Sequence, residues 1–157
     1  MKKTEFFSIA FKNNKFVFLN QVKLPFIEEY IETDNYERIA EAIERLELRG
    51  APAIGISAAY ALALSVKDTP DIEHEFEKAY SRLFRTRPTA VNLFYALNKM
   101  KTVFSRSNKK DVYELLLSEA VGIHNEDIDK CRRIGENGLK IFRRKSNIIT
   151  HCNTGKL

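Results

Sequence analysis

Cysteine is scarce. Cys131 and Cys152 are the only two in 157 residues, too few for the disulfide framework that staples a small secreted domain. Histidine occurs three times, and neither His74 nor His124 has a second ligand at metal-binding spacing, so no metal site is expected. The opening MKKTEFFSIAFKNNKF lacks the apolar stretch and small-residue cleavage site of a secretory signal. The longest apolar run, about Ala51 to Val66, is shorter than a membrane span requires. There is no internal repeat and no low-complexity segment. IGENG (Ile134 to Gly138) lies in a helical run rather than after a strand, so it is no dinucleotide fingerprint. Neither sign of charge dominates: 26 basic side chains face 21 acidic ones, net +5, with no nucleic-acid motif beside them. That balance suits phosphorylated metabolites. The expectation is a soluble, cytoplasmic protein with no membrane or nucleic-acid partner.

What is present is a globular composition, 44% hydrophobic and 11% aromatic, in a chain long enough to bury a real core. FFSIAF and FVFL, split by KNNK, predict a hairpin turning on Asn13 and Asn14. PFIEEYIET reads as extended. Asp34 is placed to cap a helix over NYERIAEAIERLEL that Gly50 ends. A second helix starts at Pro52 and runs to about Val66, and a third starts at Pro70 and Asp71. Pro88 and Thr89 begin a fourth, and the last reaches from about Lys110 to Phe142, with Gly122 or Gly135 as points of interruption. On that last helix Leu117, Val121, His124, Ile128, Cys131 and Phe142 are expected to share the buried face, which makes Cys131 and His124 structural. NIIT (147–150) predicts a strand of the kind that begins a parallel sheet. The fold class expected is α+β: a mostly helical domain with a small antiparallel β unit over 1–146, and the start of a Rossmann-like domain over 147–157.

Two stretches invite a chemical reading. In LRGAPAIGISAAYALALSV (48–66), Arg49 and Gly50 stand directly ahead of an otherwise uncharged helix. Free N–H groups and the dipole at a helix N-terminus favour an anion, Gly50 admits close backbone approach, and Arg49 offers a fork of donors matched to phosphate. On spacing alone, a plain C-capping glycine beside a surface arginine is the better explanation of the pair. In RTRPTAVNLFYAL, Arg87 again precedes a proline and a helix, so two guanidiniums and two helix starts can serve one anion. Arg82 and Arg85 read as solvated residues of the preceding helix. Asn92, one turn into its helix, faces the site, the core or solvent. Cys152 falls at the carboxyl end of the predicted strand, where open α/β sheets place their chemistry. His151 beside it points to the opposite face.

LRGAPAIGISAAYALAL, RPTAVNLFYAL, RRIGENG and ITHCNTG occur in the order and approximate spacing found in methylthioribose-1-phosphate isomerases. The chain resembles that family from about Leu19 to Gly155, and through it a wider group related to the α, β and δ subunits of initiation factor 2B. The resemblance implies an aldose–ketose isomerase of methionine salvage, turning 5-methylthioribose 1-phosphate into 5-methylthioribulose 1-phosphate with no metal or organic cofactor. It implies substrate contacts at Arg49, Gly50, Ala51 and Arg87, and a catalytic role for Cys152. Thr154 and Lys156 depart from the small residues common in relatives. The family's proton-donating aspartate, its other substrate contacts and its homodimer contacts lie in a C-terminal domain that this sequence does not reach. The expectation that follows is an N-terminal part inactive alone. An isomerase of ribose 1,5-bisphosphate and a non-catalytic regulatory subunit are the alternatives. Enediolate and hydride-shift routes stay open.

Overall fold

Two asparagines in succession set the first turn. Asn13 and Asn14 both take left-handed backbone angles (φ 53° and 59°), the geometry of a tight hairpin between β1 (Ile9–Lys12) and β2 (Lys15–Leu19). The two strands pair antiparallel, with Phe11 opposite Phe16. The computed structural model describes residues 6–108, 110–142 and 145–151. PFIEEYIET contributes more than an extended linker: its last four residues form β3 (Tyr30–Thr33) against the other edge of β2, Leu19 opposite Tyr30. Phe16 to Leu19 are all buried, so the sheet rests on the helices through its central strand.

Among the described residues five helices follow: α1 (Tyr36–Glu44), α2 (Ala51–Ser65), α3 (Ile72–Phe84), α4 (Val91–Arg106) and α5 (Val112–Leu139). From Ile54 to Ser65 every residue of α2 is buried, because the sheet and the other helices enclose it. A helix apolar on all sides is stable only in that position. Its buried hydroxyls bond within the helix, Ser57 to the Ala53 carbonyl (2.6 Å) and Ser65 to that of Leu62 (2.8 Å). Tyr60 anchors the centre. Its ring stacks on Phe11 at 4.9 Å, and its hydroxyl lies 3.2 Å from Nδ1 of His124 on α5. On the other flank Phe76 of α3 stacks on Phe104 of α4 at 3.8 Å.

Several sequence expectations need correction. Asn35, not Asp34, caps α1, accepting from the Glu37 N–H at 2.9 Å. Helix α1 ends at Glu44, and Gly50 instead caps the start of α2. Pro88 and Thr89 lie in a turn ahead of α4, whose cap is Ala90. Helix α5 runs its 28 residues without interruption. Its buried residues are Val112, Leu116, Ala120 and Ile123, while Val121, Ile128 and Cys131 are exposed. Periodicity identifies residues that share a face but not the face that meets the body. Arg82 is not a solvated residue. All three of its guanidinium nitrogens are bonded, Nε to Glu37 (2.7 Å) and the two Nη atoms to Glu44 (2.6 and 2.9 Å), which ties α3 to α1. Residues 147–150 form no strand, and Ile149 is 97% exposed. A strand takes its hydrogen bonds from a neighbour.

Candidate functional site

Gly55 decides how α2 and α4 meet. A Cβ built there would lie 2.5 Å from the carbonyl oxygen of Asn92, so only glycine lets the two backbones touch. Gly55 is the fifth residue of α2 and Asn92 the second of α4, so the contact joins the N-terminal ends of both helices. The two N-termini therefore open on the same end of the domain.

Neither terminus is closed by a side chain. Gly50 caps α2 with φ 91°, a conformation that favours glycine, and its carbonyl accepts from the Ile54 N–H at 3.0 Å. Ala90 caps α4 and carries no side-chain acceptor. Neither first turn holds an acidic residue. Ahead of them stand the two arginines singled out from sequence. Arg49 is exposed and Arg87 half-buried, and among the described residues neither has an acidic partner. Arg87 leaves a bonded turn: Thr86 is buried with Oγ1 on the Leu83 carbonyl (2.7 Å), and the Ala90 N–H donates to the Arg87 carbonyl (3.0 Å). Ala51 is exposed at the first position of α2. Unsatisfied N–H groups at a helix start favour an anion, and the fork of arginine suits phosphate.

Beside the Gly55 contact lies a cleft of about 70 Å³, lined by Pro52 and Gly55 of α2, Asn92 and Tyr95 of α4, and Asp127 and Lys130 of α5. Asn92 thus meets both the cleft and the core. Asp127 and Lys130 escaped sequence reasoning because α5 is distant in the chain, and only the packing of α5 reveals them. Lys130 is engaged by Glu126 at 2.6 Å, which holds that carboxyl below its usual range. His124 is structural, as expected, and burial lowers its pKa. No group of three or more metal-ligating side chains occurs among the described residues, and no helix there is long and apolar enough to cross a membrane. Cys152 lies outside the described residues.

Residues 47–157, which include both arginines and the start of α2, match the model of the Initiation factor 2 subunit family. The chain belongs to the Initiation factor 2 subunit family. Within it, the chain is 42% identical over 153 residues to the methylthioribose-1-phosphate isomerase of Thermotoga maritima, covering 96% of this chain and 45% of the relative. The corresponding enzyme of Geotalea uraniireducens is 40% identical over 160 residues, covering 97% and 46%. Among solved structures of the family, the 5-methylthioribose 1-phosphate isomerase of Pyrococcus horikoshii superposes with a TM-score of 0.91 at 36% identity, over 98% of this chain and 46% of that one. The delta subunit of translation initiation factor eIF-2B from A. fulgidus superposes at 0.81 with 33% identity, over 88% and 42%. The chain spans under half the length of these family members.

Proposed function

We propose that this chain supplies the phosphate-gripping part of an aldose–ketose isomerase acting on 5-methylthioribose 1-phosphate in methionine salvage. The observation that carries the reading is the pair of uncapped helix starts, joined at Gly55 and Asn92, with unpaired Arg49 and Arg87 ahead of them. Identity near 40% to enzymes named for this reaction, across nearly the whole chain, supports the substrate.

The chemistry asks for such a grip. A phosphate on the anomeric carbon locks the sugar ring, so the ring must open without loss of the phosphate, and one hydrogen then moves from carbon 2 to carbon 1. Two guanidiniums and the N–H groups of Gly50 and Ala51 hold the phosphate oxygens, oppose its departure and fix the sugar's orientation. The apolar wall formed by α2 keeps water from weakening these contacts. Cys152 is assigned the role of assisting at the reacting carbons. Residues 147–157 are assigned to the first element of a second, Rossmann-like domain, and a homodimer is the proposed assembly.

The likeness to the eIF-2B delta subunit favours one other reading, a regulatory subunit that binds a partner protein rather than the sugar phosphate, without turnover. Titration calorimetry of the chain with 5-methylthioribose 1-phosphate, ribose 1,5-bisphosphate and unphosphorylated 5-methylthioribose separates the cases. Binding of the first, weaker binding of the second and none of the third support the isomerase reading. No binding of any sugar phosphate supports the regulatory one.

A further inference from the structure

The residues just ahead of Arg49 are held from three sides. The Arg45 N–H donates to the Glu41 carbonyl (2.8 Å) and the Leu48 N–H to that of Ala42 (3.1 Å), both on α1. From the loop after β2, the Gln21 N–H donates to the Glu47 carbonyl (3.0 Å). Arg38 of α1 donates through Nη2 to the Glu47 carboxylate. Leu46 sits within this frame at φ 61°, a conformation unfavourable for leucine that persists only where its surroundings determine it. Glu47 and Leu48 are buried. One residue later Arg49 emerges, exposed and without an ion pair among the described residues.

As a stabiliser the Arg38–Glu47 pair is poorly made. Desolvation offsets much of the attraction of a largely buried ion pair. Arg38 Nη1 and Gln21 Nε2 are also buried with no hydrogen-bond partner among the described residues. The contrast is Arg82, whose Nε and both Nη atoms are all bonded. What the Arg38–Glu47 pair does supply is geometry, because it pins the backbone that mounts a free cation.

We infer that Arg38 and Glu47 are positioning residues: through their ion pair, backed by the Gln21 backbone, they fix the segment from which Arg49 reaches a phosphate. The inference rests on the reading above that Arg49 and Arg87 grip a sugar 1-phosphate. A fixed mount removes the ordering that binding would otherwise have to impose on the loop.

A double-mutant cycle tests it, with calorimetric affinity for 5-methylthioribose 1-phosphate measured on the chain. Glu47→Gln is expected to weaken binding about tenfold. Placed in an Arg49→Ala background, Glu47→Gln is expected to weaken it no further, since the residue acts through Arg49. An unchanged affinity on Glu47→Gln overturns the inference, as does an equal loss in both backgrounds. Where Glu47→Gln does not fold, Arg38→Lys takes its place, keeping the charge and losing the planar fork, with the same pattern expected. The underlying reading fails separately: if the chain binds no sugar phosphate, or if Arg49→Ala and Arg87→Ala leave binding intact, the phosphate grip is lost and this inference with it. Weakening by both arginine variants and none by Glu47→Gln removes the positioning role alone.

Discussion

Helices α1 and α3 begin in the opposite way from α2 and α4. The first pair close their own N-termini: Asn35 accepts from the Glu37 N–H, Asp71 from the His74 N–H at 3.2 Å, and acidic residues occupy both first turns. Their arginine, Arg82, is consumed by Glu37 and Glu44. The second pair have no side-chain cap and no acid in the first turn, and the arginines ahead of them are unpaired among the described residues. One chain thus contains both ways of satisfying a helix dipole. Where the anion is built in, the helix is structural. Where it is left out, the helix start keeps the N–H groups that an anion would satisfy, as the proposed function requires.

The largest effect expected from breaking this arrangement is at Gly55. Gly55→Ala pushes a Cβ against backbone that cannot swing aside, and should cost about 3 kcal/mol in denaturant unfolding. Gly122→Ala, in α5 with no atom within 4 Å of the added carbon, should instead gain about 0.5–1 kcal/mol. Next come the arginines. Arg49→Ala should weaken calorimetric binding of the sugar phosphate by about 10- to 100-fold with an unchanged melting temperature. Arg82→Ala should lower the melting temperature and leave affinity unaltered. Ala90→Asp would turn α4 into a helix of the other kind. Its carboxylate should add about 1 kcal/mol of stability while weakening phosphate binding, and Asn35→Ala should remove about 1 kcal/mol without touching binding.

The smallest effect is the pH response of His124. With the imidazole neutral and its proton on Nε2, the Tyr60 hydroxyl donates to Nδ1. Burial lowers the His124 pKa, Asp127 opposes that in part, and burial pushes the Tyr60 hydroxyl up to about 12. The unfolded chain therefore takes up this proton first. The stability contribution is complete above the ordinary imidazole range and declines as pH falls through it towards the depressed folded value. Melting temperatures at pH 7.5 and 5.5 should show the decline, and His124→Asn should flatten it.

Local chemistry was legible in the sequence. The Asn13–Asn14 turn, the buried helix behind Gly50 and the cap at Asp71 each depend on a few adjacent residues. Elements whose outcome depends on distant partners were not. Tyr30–Thr33 becomes a strand because β2 offers it an edge, and Arg82 is absorbed by carboxylates 38 and 45 residues away. The apolar residues of α5 exceed what its buried side can hold, so a stripe read from spacing alone rightly set Leu117 and His124 against the core and wrongly set Val121, Ile128 and Cys131 there. At the candidate site the arginines and Gly50 were visible as motifs, and so was the idea that two helix starts serve one anion, but the contact that joins those two helices was not. That depends on Gly55 lying against the backbone of Asn92, 37 residues onward.

The most direct measurement is a crystal structure of the chain soaked with 5-methylthioribose 1-phosphate. Both guanidiniums, Arg49 and Arg87, should lie within about 3 Å of oxygens on the same phosphate, with the Gly50–Ala51 backbone facing it. A phosphate held by only one of them, or seated elsewhere on the domain, would contradict the shared grip.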